Sequence, residues 1–223
     1  PAGQQNNSEF KDFNLLTQAV AHRDRDFIDA LVEAGANSQI ETNGDGPMTA
    51  FNLAILLQDR HSILKFVEAG ANINRRGIGG LSPRPLHMIP GIHWNDGKAP
   101  DFADFTKWLM SLGLDPLLGS GDPNHNLFGE ILWRRRLELA EQNSSHAKLI
   151  ALDAFFRWTQ SPDFRSALEM HRKIRELNRK TFPDFSTSGS ISDYQAALRP
   201  ILKEIEFEES ICPDKLRDIN RKN

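Results

Sequence analysis

Apolar side chains recur at helical spacing in two stretches of the chain: Phe27, Ile28, Leu31 and Val32 in one, Ile63, Leu64, Phe66 and Val67 in the other. Residues three and four apart share one face of an α-helix, so each stretch predicts a short helix that buries a single stripe. Each stripe runs into nearly the same string, "LVEAGAN" at Leu31 to Asn37 and "FVEAGAN" at Phe66 to Asn72, with Gly35 and Gly70 standing 35 residues apart. A glycine directly after such a stripe predicts a left-handed residue that stops the helix, a conformation that alanine opposes by about 1 kcal/mol. Upstream of the stripes, "NLLTQA" at Asn14, "TAFNLA" at Thr49 and "RPLHMI" at Arg84 start at the same 35-residue interval. They predict a first helix in each unit. Asn14 and Thr49 are good N-caps, whereas Arg84 is a poor one followed by Pro85, a favourable first helical residue.

A third copy of the glycine string, "LMSLGLDP" at Leu109 to Pro116, places Gly113 43 residues beyond Gly70, so eight residues have been inserted into this unit. A fourth, degenerate unit starts near "NLFGEI" at Asn126, with a second helix around Ser145 to Thr159. Periods of this length mark stacked repeats. The strings "PLH" and "FVEAGANIN" resemble the ankyrin-repeat family, whose unit opens on T-P-L-H-x-A and closes its second helix on L-L-x-x-G-A-(D/N). The resemblance covers about Phe13 to Thr159 and implies an all-α, ankyrin-type helical solenoid with short hairpin-like loops. It also implies that His87 hydrogen-bonds backbone, and that loop tips and first helices form a wall that binds other proteins.

Beyond the repeats the pattern changes. "SPDFRSALEMHRKIRELNRK" predicts a helix with Ser161 as N-cap, Pro162 at the first position and a broken stripe of Phe164, Leu168, Ile174 and Leu177. A further helix is expected from Ser192, broken or kinked at Pro200 and resuming through Ile201, Leu202, Ile205 and Phe207, with a last short helix from Pro213. The ends of a repeat stack expose apolar surface, and these helices suit the task of covering it. The expected organisation is a flexible segment at 1–10, a degenerate ankyrin-repeat solenoid at 11–160 with an inserted loop at about 89–104, and a C-terminal helical cap at 161–223.

Charge and composition narrow the chemistry. Fourteen Phe and four Trp in 223 residues give ample apolar surface for a core. A formal charge of −3 argues against nucleic acid or an anionic membrane as partner. The charge is uneven: "WRRR" at Trp133 to Arg136 and the run from Arg165 to Lys180 are basic, whereas "KEIEFEES" at Lys203 is acidic, which predicts a basic face folding against an acidic helix. Cys212 is alone and forms no internal disulfide. No apolar run approaches the roughly 20 residues of a membrane helix. A first residue other than Met fits initiator removal, trimming or loss of an export signal, so cytoplasm and periplasm both stay open.

The histidines are scattered without a zinc-binding pair, and no nucleophile elbow or phosphate loop is present. "DPNHN" at Asp122 lacks the spacing of a calcium loop and predicts a turn that caps the following helix. No catalytic residue, metal or cofactor is expected. The candidates are surfaces. Two arginines on a glycine-flanked tip, Arg75 and Arg76, suit bidentate contact with a partner's carboxylates. Ile40 and Glu41 lie on the preceding tip, and His93, Trp94 and Asp96 lie in the insertion, where a long loop in a compact repeat points to binding. Trp133 completes the partner-binding set.

The leading expectation is a non-enzymatic protein-recognition module, monomeric when unbound. In its specific form it is an inhibitor or immunity-type protein that blocks a toxin or enzyme; a bacterial effector or adaptor is the alternative. Two other classes remain open: an enzyme whose site gathers His171 and the basic stretch, and a nucleic-acid binder using Arg134 to Arg136.

Overall fold

A computed structural model describes residues 14–42, 47–78, 83–91, 101–118, 126–140, 146–179, 196 and 198–205. They are mostly helical, and the extended pairing among them consists of two isolated bridges, Ile40 with Ile78 in parallel and Glu41 with Thr49 antiparallel. The chain divides into two compact units, residues 1–93 and 94–223.

The first unit contains two helix pairs, α1 (Leu15–His22) with α2 (Arg25–Glu33) and α3 (Ala50–Leu56) with α4 (Arg60–Glu68). The same devices recur at the 35-residue interval. Asn14 and Thr49 accept hydrogen bonds from Thr17 N (2.9 Å) and Asn52 N (3.0 Å), which gives each first helix its cap. Asp24 and Asp59 do the same for α2 and α4. Between the helices of each pair, Arg23 and Gln58 adopt left-handed backbone at φ 55° and 52°. Corresponding caps, turns and stops thus coincide, and α1 packs on α3 while α2 packs on α4.

The glycines end the second helices as expected. Gly35, Gly70 and, in the second unit, Gly113 have φ of 86°, 89° and 101°. Each donates to a carbonyl three residues back, Val32, Val67 and Met110, while the following residue donates to the carbonyl five back, Leu31, Phe66 and Leu109. These paired bonds satisfy carbonyls that the helix end leaves orphaned. Two residues later a side-chain oxygen closes the next turn: Asn37 accepts from Gln39 N, Asn72 from Asn74 N and Asp115 from Leu117 N, at 2.9, 2.9 and 3.0 Å. A Cβ at Gly70 meets no atom within 4 Å, so a substitution there is opposed by backbone conformation alone. Gly70→Ala is therefore expected to lower stability by about 1–2 kcal/mol and Gly70→Val by more, while Gly70→Asn loses least. Urea unfolding of the three variants checks the order, and a Val variant as stable as the parent would refute the helix-stop role.

Two expectations for this unit are corrected. The segment opening at Arg84 forms a 3-10 turn, Pro85–Gly91, in place of an α-helix. Pro90 falls inside it, and proline has no N–H to give and crowds the carbonyl four residues back. Of the two apolar stripes, Ile28, Ile63 and Phe66 are buried, but Phe27 and Leu64 face outward, because a nine-residue helix packed on one side buries one narrow face.

The second unit holds α5 (Phe102–Ser111), α6 (Leu127–Ala140), α7 (His146–Thr159) and α8 (Pro162–Arg179), followed by helical backbone at 198–205. Asp101 and Asn126 cap α5 and α6 through Asp104 N (2.8 Å) and Gly129 N (3.0 Å), and Ser161 caps α8 through Phe164 N (3.3 Å) as its sequence predicts. Residues 198–205 are helical through Pro200, so the helix is not interrupted there; Ser192, Phe207 and the segment from Pro213 lie outside the described residues.

Aromatic rings join the helices of this unit. Phe128 of α6 contacts Phe155 of α7 and Phe164 of α8, with centroids 6.3 and 6.0 Å apart, and Trp158 meets Phe164 edge-on at 4.9 Å. At the rim Lys107 of α5 donates to both carboxylate oxygens of Asp163 at 2.6 and 2.9 Å, and the Trp158 indole N–H donates to the same group at 3.1 Å. The Lys107 bond, then the Trp158 bond, hold this carboxyl below its ordinary pKa. A depressed folded-state pKa favours the fold above the unfolded value, so this contact is lost as the pH falls through the folded one.

Candidate functional site

The hairpin tip of the first unit is assembled from residues far apart in sequence. Gln39 is buried, and its amide both donates to Asn72 O (2.9 Å) and accepts from Asn72 N (3.2 Å), tying the turn after α2 to the turn after α4. This register lets Ile78 N donate to Gln39 O at 2.8 Å and sets Ile78 beside Ile40. Both isoleucines are exposed, at 47% for Ile40 and 46% for Ile78. Two β-branched side chains held on neighbouring strands in water form an apolar spot that folding itself does not require.

Cations share that tip. Arg75 and Arg76 are exposed on the turn between Asn72 and Ile78, and neither has an ion-pair partner among the described residues. Arg84 lies beneath the same turn, its NH1 donating to Asn74 O at 2.8 Å. Burial first, and then the positive charge of Arg76, lower the pKa of Arg84 from its ordinary value. Glu41 is half-buried, on the residue bridged to Thr49.

The structure thus brings Ile40, Glu41, Arg75 and Arg76 of the sequence-derived set onto one tip. It adds Ile78 and Arg84, which sequence reasoning passed over. Ile78 stands between Gly77 and Gly79, and Arg84 enters the sequence reading only as a poor cap. The missed signal was an aliphatic residue between glycines on a repeat tip, where solubility alone favours a polar one. His93, Trp94 and Asp96 lie outside the described residues.

Trp133 is on a different unit. It is 57% exposed on α6, opposite a buried stripe of Phe128, Ile131, Leu132, Arg135 and Glu138. The neighbouring arginines are each neutralised. Arg134 pairs with Glu138 at 2.7 Å, Arg135 with Asp153 of α7 at 2.7 Å, and Arg136 with Glu204 of the acidic helix at 2.6 Å. Ion pairs of this kind leave little charge for a phosphate backbone.

The basic stretch of α8 separates from its histidine in the same way. His171 is 1% exposed, and its Nδ1 lies 3.3 Å from Met110 O of α5. Arg165, Arg172 and Lys173 point to solvent, with Arg172 3.9 Å from Glu176. No three metal-ligating side chains converge among the described residues. No described helix is long and apolar enough to cross a membrane.

Comparison with family models, with curated proteins and with solved structures found no match for the chain.

Proposed function

We propose that the chain is an ankyrin-type repeat scaffold whose work is to hold another protein. What supports this is the repetition itself: capped helix pairs at a 35-residue interval, glycine stops in left-handed backbone, and turns linked by the Gln39 amide. Such units need neighbours to bury their faces, and stacking leaves a row of tips that project for contact.

The particular reading is an inhibitor or immunity-type protein that occludes a toxin or enzyme. The observation that carries recognition is the exposed Ile40 and Ile78 pair on a tip that also holds Arg75 and Arg76, with Arg84 bound to the same turn. Apolar anchors within a polar, charged rim are the usual make-up of a binding spot.

Affinity capture from the native source tests it with three baits: the parent chain, Ile40→Ser with Ile78→Ser, and Trp133→Ala. All three substituted positions are exposed, so each variant is expected to unfold within about 0.5 kcal/mol of the parent per substitution. A protein retained by the parent and lost from the isoleucine variant supports the tip. Equal capture by parent and isoleucine variant, with loss from Trp133→Ala, moves the site to α6. Capture of nothing by the parent removes the recognition reading.

A further inference from the structure

Among the described residues the hairpin tip gathers more cations than anions, Arg75, Arg76 and Arg84 against a half-buried Glu41. Arg75 and Arg76 follow one another on a turn whose backbone is pinned by Arg75 N donating to Asn72 O at 3.0 Å. Asn74 O of that turn accepts from Arg84 at 2.8 Å, which ties a third guanidinium to the same turn. The Nε of Arg84 is buried and has no hydrogen-bond partner among the described residues. Three cations gathered on one turn repel one another, and burial strengthens that repulsion by lowering the local dielectric. Elsewhere in the protein the arginines of α6 meet carboxylates at 2.6 to 2.7 Å. Among the described residues Arg75 and Arg76 have no such carboxylate, which leaves them open to one from another molecule.

Resting on the recognition reading above, we infer that this tip takes an acidic segment of another protein, in which a carboxylate engages Arg76 and Arg84 while a neighbouring aliphatic side chain covers Ile40 and Ile78. Guanidinium forks match carboxylates bidentately, which fixes the orientation of the bound segment. The pair of isoleucines selects for a protein ligand over a polyanion. A phosphate backbone offers nothing to cover them, and the chain's formal charge of −3 repels an extended polyanion that makes only a few cationic contacts. Charge on the tip then speeds encounter and sets register, and the apolar contact holds the complex.

Fluorescence anisotropy with defined probes tests the inference on the full chain. The first probe is a labelled dodecapeptide alternating Glu with Leu. Its counterparts carry Lys for Glu or Ser for Leu, and a single-stranded DNA oligonucleotide of equal length completes the panel. The Glu/Leu peptide is expected to bind about tenfold more tightly than either peptide counterpart, and to weaken about tenfold in Arg75→Glu with Arg76→Glu and on raising salt. Neither arginine has an ion pair among the described residues, so the charge-reversed chain should keep the parent's circular dichroism. Equal binding of the Glu and Lys peptides, indifference to charge reversal, or tighter binding of the oligonucleotide would overturn the inference. If the peptides fail while the Ile40→Ser with Ile78→Ser bait still loses its captured protein, the acidic chemistry falls and recognition stands. If the parent bait also captures nothing, both fall.

Discussion

Arg135→Ala is expected to lower stability by about 3 kcal/mol, the largest loss for any charged residue in the chain. Arg135 is fully buried, and its Nε donates to Asp153 Oδ1 at 2.7 Å. Truncation removes the long apolar stem from a packed interior and strands a carboxylate that is only 21% exposed. The stem and the charge separate in two further variants. Arg135→Met keeps most of the volume and should recover about half of the loss, since a filled site no longer collapses. Asp153→Asn keeps the shape and removes the countercharge from a guanidinium that cannot lose its proton. Its cost should fall between the two, because solvent reaches Asp153 and screens part of the change. Urea unfolding followed by tryptophan fluorescence reads all three, with Trp108, Trp133 and Trp158 in the same unit. An alanine variant as stable as the parent would show that the buried pair contributes nothing.

That arginine also marks where the sequence stops being readable. "WRRR" contains three identical side chains, and composition assigns all of them to a solvated basic face. The inward one is chosen by the stripe that begins at Phe128 and passes through Ile131 and Leu132, which reaches Arg135 two turns of helix after Phe128 and then Glu138. A buried residue breaks the hydrophobic pattern here, so the pattern alone steps over it. The fold back onto the acidic stretch was legible, and Arg136 does meet Glu204.

The repeat interval was legible for the opposite reason. A left-handed residue admits few side chains at low energy, and a cap needs a short oxygen-bearing one, so Gly35, Gly70, Asn14 and Thr49 carry their geometry in their chemistry. The repeat interval does not determine the pairing of the tips. Ile40 bridges Ile78, 38 residues on, and not the residue one interval away. The offset is set by turn backbone and by the Gln39 amide, so the exposed pair became visible only in three dimensions. Arg84 was misjudged in a similar way. The sequence presents it as a poor cap, whereas its side chain turns to Asn74 O and joins the tip.

The aromatic junction of the second unit should yield the other large effect. Phe155→Ala is expected to cost about 3–5 kcal/mol. Its ring is fully buried and touches Phe128, Phe156 and Trp158 at centroid separations of 6.3, 5.6 and 5.7 Å. Three ring neighbours drawn from two helices cannot all close on the space left by one, so a residual cavity adds to the lost transfer energy. Phe155→Leu retains most of the volume and should cost less than about 1.5 kcal/mol, which separates packing from any special role of the ring. Phe156→Ala is the internal comparison: among the described residues its ring meets that of Phe155 alone, so its loss should be smaller. Trp158 fluorescence provides a second readout, because its ring packs against Phe155 and Phe164 while its indole N–H binds Asp163. A shift in the Phe155→Ala emission before any unfolding would place the damage at this junction. If Phe155→Ala and Phe156→Ala destabilised equally and left that emission unchanged, the junction would not be what holds α6, α7 and α8 together.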